Sequence, residues 1–221
     1  MTRKRKSAAG FTLIEMMIAM TIMLMALGIV SMLFARASGV KSRESRKTDA
    51  LTSAQAGLNV ISREIANSGF GLYTDPSSRM GSNGIVLADS DAHKIHLRAN
   101  LTNSQAYGSS GSGATSDPGE DITYFLDSAT SSIVRYDANS PSGSRTAILV
   151  NRISSITFDY VNYTFGSSAT TTTSTPTATT GRVIITVIVQ LDPVQGQPNP
   201  GTVTFTSAVT LRNANYMLQQ Y

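Results

Sequence analysis

Cysteine is absent from this 221-residue chain, and so is tryptophan. Without cysteine there is no disulfide framework, no thiolate chemistry and no Cys-based metal site. An exported domain of this chain would stand in an oxidising compartment without covalent cross-links. Aromatic residues make up 7% of the sequence, which predicts a real but modest core. The length leaves room for one anchor and one domain of ordinary size. Histidine occurs twice, at His93 and His96. Positions i and i+3 on a strand point to opposite faces, so a shared metal is not expected and surface placement is. Positive charge is scarcer than the pI of about 9.5 suggests. Arg3, Lys4, Arg5 and Lys6 account for four of the 18 basic residues, and the remaining 14 face 14 acidic ones. The high pI therefore gives no reason to expect a nucleic-acid partner.

Catalytic signatures are missing as well. There is no convincing Ser-His-Asp arrangement, and "GSSGSG" lacks the strand-to-helix context and the lysine of a phosphate loop. The acids of "DSD" (Asp89–Asp91) and "DPGED" (Asp117–Asp121) do not fit EF-hand spacing and read as solvated loop acids. The sequence thus predicts no enzyme, no metal and no cofactor.

What the chain does have is an uncharged run of 20 residues, Met16 to Ala35. As a helix it would span roughly 30 Å, one hydrocarbon thickness. That is too long for the apolar region of an ordinary cleaved signal. A retained membrane helix is the better reading, although an A-x-A triplet follows at Ala35–Ala37. The basic residues Arg36, Lys41, Arg43, Arg46 and Lys47 come next and read as an interfacial anchor for lipid phosphates. Leu51, Ala54, Leu58, Ile61 and Ile65 then recur at steps of three and four, a single apolar stripe. Arg63, Glu64 and Asn59 fall off it. "NSGFG", Asn67 to Gly71, is a stop signal. One helix is predicted from Phe11 to about Asn67, with residues 11–35 as the transmembrane half and 36–67 as an amphipathic stalk. Gly39 is a candidate bend.

After Gly71 the chain changes to short β-like runs between Gly, Ser, Asn and Pro. Candidate strands are 84–88, 94–98, 121–126, 132–137, 147–150, 155–165, 182–191 and 202–211. The last alternates Val203, Phe205, Val209 and Leu211 against a row of threonines, as an antiparallel strand with one solvated side does. "VIITVIV" is apolar on both faces and reads as a central strand. The stretches 107–119 and 167–181 are low in complexity and read as flexible or exposed loops. The predicted fold class is α+β: a long N-terminal helix packed on a C-terminal antiparallel β-sheet domain, residues 68–221.

The start of the chain, "RKRKSAAGFTLIEMMIAM", is its most informative stretch. A short basic leader precedes Gly10, then Phe11, then an apolar helix with Glu15 at the fifth position after the glycine. This resembles the type IV prepilin signal. The resemblance implies that residues 1–10 are a leader and that a prepilin peptidase cuts between Gly10 and Phe11 and methylates the new amine of Phe11. It implies a subunit of the bacterial inner membrane, N-terminus in the cytoplasm, that assembles helix-first with other pilins and reaches the cell surface or periplasm. An unpaired carboxylate in hydrocarbon is costly. Glu15 could instead pair with the Phe11 amine of a neighbouring subunit and so set axial register. "REIANSGFG" (63–71) and "VTLRN" (209–213) resemble PilW-type minor pilins, which initiate or tip the fibre. A J-type pseudopilin of type II secretion is the close alternative. The missing Cys pair and the large domain argue against a main fibre subunit. A reading of another class is a signal-anchored adhesive domain using the Thr-rich loop and a sheet face.

Overall fold

The computed structural model describes residues 10–72, 83–102, 115–164, 166–191 and 201–214. The basic leader residues Arg3–Lys6 and most of the 107–119 loop lie outside the described residues. The chain divides between Arg46 and Lys47 into two units.

The first unit is helical. Helix α1 runs Leu13–Asn67, matching the predicted limits to within two residues at the start. Its N-terminal part carries no buried residue, and every side chain from Phe11 to Asp49 is exposed. The helix is long and apolar enough to cross a membrane by length and composition, with a mean hydropathy of 2.4 in its most apolar window. Thr21, the one hydroxyl early in this run, donates to the Met17 carbonyl at 2.8 Å. That bond removes a polar hydrogen from the helix surface.

The second unit holds the end of α1 and, among the described residues, eight strands. β1 (Lys94–Arg98), β2 (Asp121–Asp127), β3 (Ser132–Asp137) and β4 (Thr146–Asn151) form one antiparallel sheet in the order β1-β2-β3-β4. β5 (Ile153–Tyr163), β6 (Thr170–Thr173), β7 (Thr180–Gln190) and β8 (Thr202–Thr210) form a second, in the order β6-β5-β7-β8. The layout is α+β and pilin-like, as the sequence predicted, and the antiparallel β-domain is built of two sheets. The division falls at a single residue. Arg152 separates β4 from β5 with φ 62, a left-handed conformation that costs a non-glycine residue about 1–2 kcal/mol. Flanking bonds hold it there: Ile153 N donates to Ser131 O and Gln190 N to Arg152 O, both at 2.8 Å.

The core lies between the end of α1 and both sheets. Ala54, Leu58, Ile61 and Ile65 are buried as the stripe predicted, while Leu51 is half-buried. Ile61 and Ile65 are fully covered, each burial favouring the fold by about 1.5–3 kcal/mol. They meet Tyr124, Ile156, Phe158, Ile185 and Leu211 in one apolar cluster. Gly57, which the stripe omitted, is buried too, because a Cβ there would lie 2.1 Å from Val150 Cγ2. β7 is central between β5 and β8, as "VIITVIV" predicted. β8 presents its threonines outward and Val209 inward, as expected.

Two expectations change. The run 84–88 is not a strand: Ile85 makes one bridge to Leu97, then Leu87–Asp89 turns as a 3-10 helix. Gly84 is the reason. It sits at φ +75, where a Cβ would lie 2.0 Å from Gly69 N; such close backbone contact tolerates only glycine. The Thr-rich stretch 167–181 is exposed over most of its length but carries β6, which pairs antiparallel with β5 from Tyr160↔Thr173 to Tyr163↔Thr170. β-branched threonine suits an edge strand, and its polar composition had read as loop.

Candidate functional site

The prediction places function at the head of α1, so the site is built from Gly10 onward. Gly10 and Phe11 precede the helix and are exposed, Phe11 at 87%. Thr12 is the helix cap: its carbonyl accepts the first intrahelical bond, from Met16 N at 3.2 Å. Glu15 lies three residues on. The Glu15 amide donates to Thr12 Oγ1 at 3.3 Å. In return Glu15 Oε2 accepts the Thr12 amide at 3.0 Å and the Thr12 hydroxyl at 2.9 Å. This is a capping box, in which a Thr-x-x-Glu pair satisfies two orphan amides of a helix start reciprocally. The carboxylate also sits at the positive end of the helix dipole.

In the isolated chain Glu15 therefore has a local partner, which the sequence reading did not supply. The signal was present, since "TLIE" is the pattern for such a box. Behind it the helix is apolar all round: from Phe11 to Phe34 every large apolar side chain is more than half exposed, Ile18 least at 55%. An apolar surface on all sides of a helix is suited to lipid or to other helices, and unsuited to water.

Elsewhere the structure relocates several residues. His93 is exposed as expected, with Nδ1 3.2 Å from Ile156 O. His96 is not a surface residue: its side chain is 13% exposed and lies between two acids. Nδ1 is 2.8 Å from Asp89 and Nε2 is 2.6 Å from Asp121. Asp89 also pairs with Lys94, and Asp121 with Arg98 Nε at 3.0 Å. The hydrogen bond from Lys94 holds Asp89 below the usual carboxylate range, against the opposing effect of burial. These acids, expected as solvated loop residues, are instead the anions of an ion-pair chain. Asp91 and Glu120 cap turns: Asp91 Oδ1 accepts the His93 and Lys94 amides, and Glu120 accepts those of Thr102 and Asp117. No group of three or more His, Asp or Glu side chains arranged to hold a metal occurs among the described residues.

A second network had no visible signal in the sequence. Glu64 leaves the apolar stripe and reaches the first sheet, where Tyr124 OH donates to it and Arg135 Nε approaches both carboxylate oxygens at 3.2 Å. Burial, reinforced by the Glu64 charge, pushes the Tyr124 hydroxyl up, so it stays protonated and donating. The partners are 60 and 71 residues away in sequence, beyond any local pattern.

A family model, the prokaryotic N-terminal methylation motif, matches residues 5–31. Gly10, Phe11, Thr12 and Glu15 all fall inside that match. No curated protein and no solved structure matches the chain. The N-terminal segment is thus type IV prepilin-like, of the kind found in pilin-like and pseudopilin proteins.

Proposed function

We propose that this chain is a PilW-type minor pilin, a structural subunit and not an enzyme, that takes part in initiating a type IV pilus or forming its tip. The observation that carries this reading is the methylation motif over residues 5–31 at the head of a helix whose large apolar side chains from Phe11 to Phe34 are all exposed. In this reading a prepilin peptidase cuts between Gly10 and Phe11 and methylates Phe11. The helix waits in the inner membrane with its N-terminus at the cytoplasmic side. Assembly then packs the apolar surfaces of neighbouring subunits side by side. Glu15 exchanges its bonds to Thr12 for the Phe11 ammonium of another subunit, a charge-assisted contact that strengthens where water is excluded. No cofactor is needed. The partners are the peptidase, other minor and major pilins, and membrane lipid.

A J-type pseudopilin would share every one of these features, and the physiological readout separates the two. Deleting the chain is expected to reduce the number of surface pili while leaving type II secretion intact; the reverse outcome assigns it to secretion. Mass spectrometry of the native N-terminus is expected to find a chain beginning at methylated Phe11. Glu15→Ala is expected to insert in the membrane normally but fail to enter filaments. Normal incorporation of that variant would sink the pairing mechanism, whereas a native chain that begins at Met1 or Ser38 would favour a signal-anchored adhesive domain.

A further inference from the structure

Helix α1 carries charge at two levels, and the distance between them is informative. Glu15 and Arg36 are 21 residues apart with no charged residue between them. Both lie within one unbroken helix, so their levels differ by about 31 Å. The hydrocarbon core of a bilayer is about 30 Å thick. Arg36 is followed by Lys41, Arg43 and Arg46 against Glu44 alone, all exposed. Arg36 and Arg43, seven residues apart, fall on one helix face.

Resting on the reading that this helix spans a membrane, we propose that Arg36, Lys41 and Arg43 dock on anionic phospholipid headgroups of the leaflet opposite the Glu15 end. The docking fixes the depth of the helix and thereby holds Glu15 at the other headgroup boundary. The chemistry is complementary: a guanidinium matches a phosphate with two parallel bonds, and the long aliphatic stems can reach out of the hydrocarbon while the heads stay wet. Each cation near an anionic surface contributes about fivefold in affinity. Loss of the leader would leave this segment as the densest cationic stretch of the chain. The waiting subunit then never buries the Glu15 carboxylate in lipid. Its capping box to Thr12 operates in wet surroundings, and the charge meets an apolar environment only when the helix is drawn out of its resting depth.

Because the chain lacks cysteine, a single spin label can be placed without background. The full chain would be reconstituted in phosphatidylcholine vesicles with or without one third phosphatidylglycerol, labelled through Leu24→Cys or Ala35→Cys. The Leu24 label is expected near the bilayer centre. The Ala35 label is expected at headgroup depth in the anionic vesicles. Combined Arg36→Gln, Lys41→Gln and Arg43→Gln changes are expected to move it by about one helical turn, about 5 Å, and to remove the dependence on phosphatidylglycerol. Depth that is unchanged by those substitutions and by lipid composition overturns the proposal. So does inorganic phosphate that restores the wild-type depth in phosphatidylcholine alone, which would make the segment a binder of free anions. A Leu24 label accessible to aqueous relaxants shows instead that the helix does not span, and the membrane reading falls together with the proposal.

Discussion

Gly57→Ala sets two large effects against each other. In an exposed helix interior the change is favourable by about 1 kcal/mol, because glycine is the more costly residue to order. At Gly57 the new Cβ would meet Val150 Cγ2 at 2.1 Å, about 1.5 Å inside a comfortable carbon–carbon contact. The obstacle cannot swing away: Val150 is β-branched, rotamer-restricted and 2% exposed on β4. Relief requires the helix or β4 to move, and overpacking of this kind costs about 1–3 kcal/mol. The clash should prevail, leaving a net loss of up to about 2 kcal/mol. For a protein of this size that is up to roughly 8 °C in Tm. The assay is thermal unfolding of the full chain in detergent micelles, followed by far-UV circular dichroism. Two controls fix the cause. Gly39→Ala, where an added Cβ meets nothing within 4 Å, should not destabilise. Val150→Ala should remove the clash, so that Gly57→Ala in that background becomes neutral or favourable. A Gly57→Ala chain that melts at or above the wild type, or effects that simply add in the double variant, would refute the reasoning.

Three further outcomes follow from the same structure. Thr12→Val removes the cap oxygen while preserving shape, and should weaken the helix start by about 1 kcal/mol; faster amide exchange at residues 13–16, with unchanged exchange near Ile61, would show it. Glu64→Leu leaves the Tyr124 hydroxyl and the Arg135 guanidinium, whose side chain is 21% exposed, without their carboxylate. It should cost about 1–3 kcal/mol in denaturant unfolding, and Tyr124→Phe in the Glu64→Leu background should recover part of that. Asp89 has a folded pKa held down by Lys94, so its contribution is present above its unfolded pKa, about 3.9, and is lost as pH falls through the folded value. The two side chains are 36% and 45% exposed, so solvent screening should keep the loss below about 1 kcal/mol. Asp89→Asn should flatten the stability profile only on that acid limb.

The parts of the fold that were legible in the sequence are those that local pattern controls. The uncharged run and the three-four stripe marked α1, and Lys94–Arg98 and Ser132–Asp137 were found with their observed limits because they alternate between short turn-rich breaks. Contacts remote in sequence were not legible. The strands at 147–150 and 155–165 read as separate, but nothing local shows that the left-handed Arg152 alone divides them or that they belong to two different sheets. The run 84–88 has strand composition, yet Gly84 must lie against Gly69, a neighbour that no periodicity reveals. At the candidate site, the prepilin-like stretch that holds Gly10, Phe11 and Glu15 was legible through its resemblance, and the methylation motif covers it. The capping role of Thr12 depends on its hydroxyl three residues before the acid, a local pairing that the apolar run around Glu15 masks. His96 was misplaced because strand periodicity gives a face, not the identity of what comes to cover it.

The last described strand has a consequence for the order of events in the cell. Arg212 N donates to Ala66 O at 3.2 Å, and Asn213 Nδ2 to Ser68 O at 3.0 Å. The end of α1 is therefore completed by residues that leave the ribosome about 145 positions later. Such long-range pairing slows folding, so the helix is synthesised while the domain packed on its end is still open. Completion of the fold is then timed by chain length: the end of α1 gains its last partners only once the residues after β8 have returned to it, and a chain halted before that point would carry an unfinished domain.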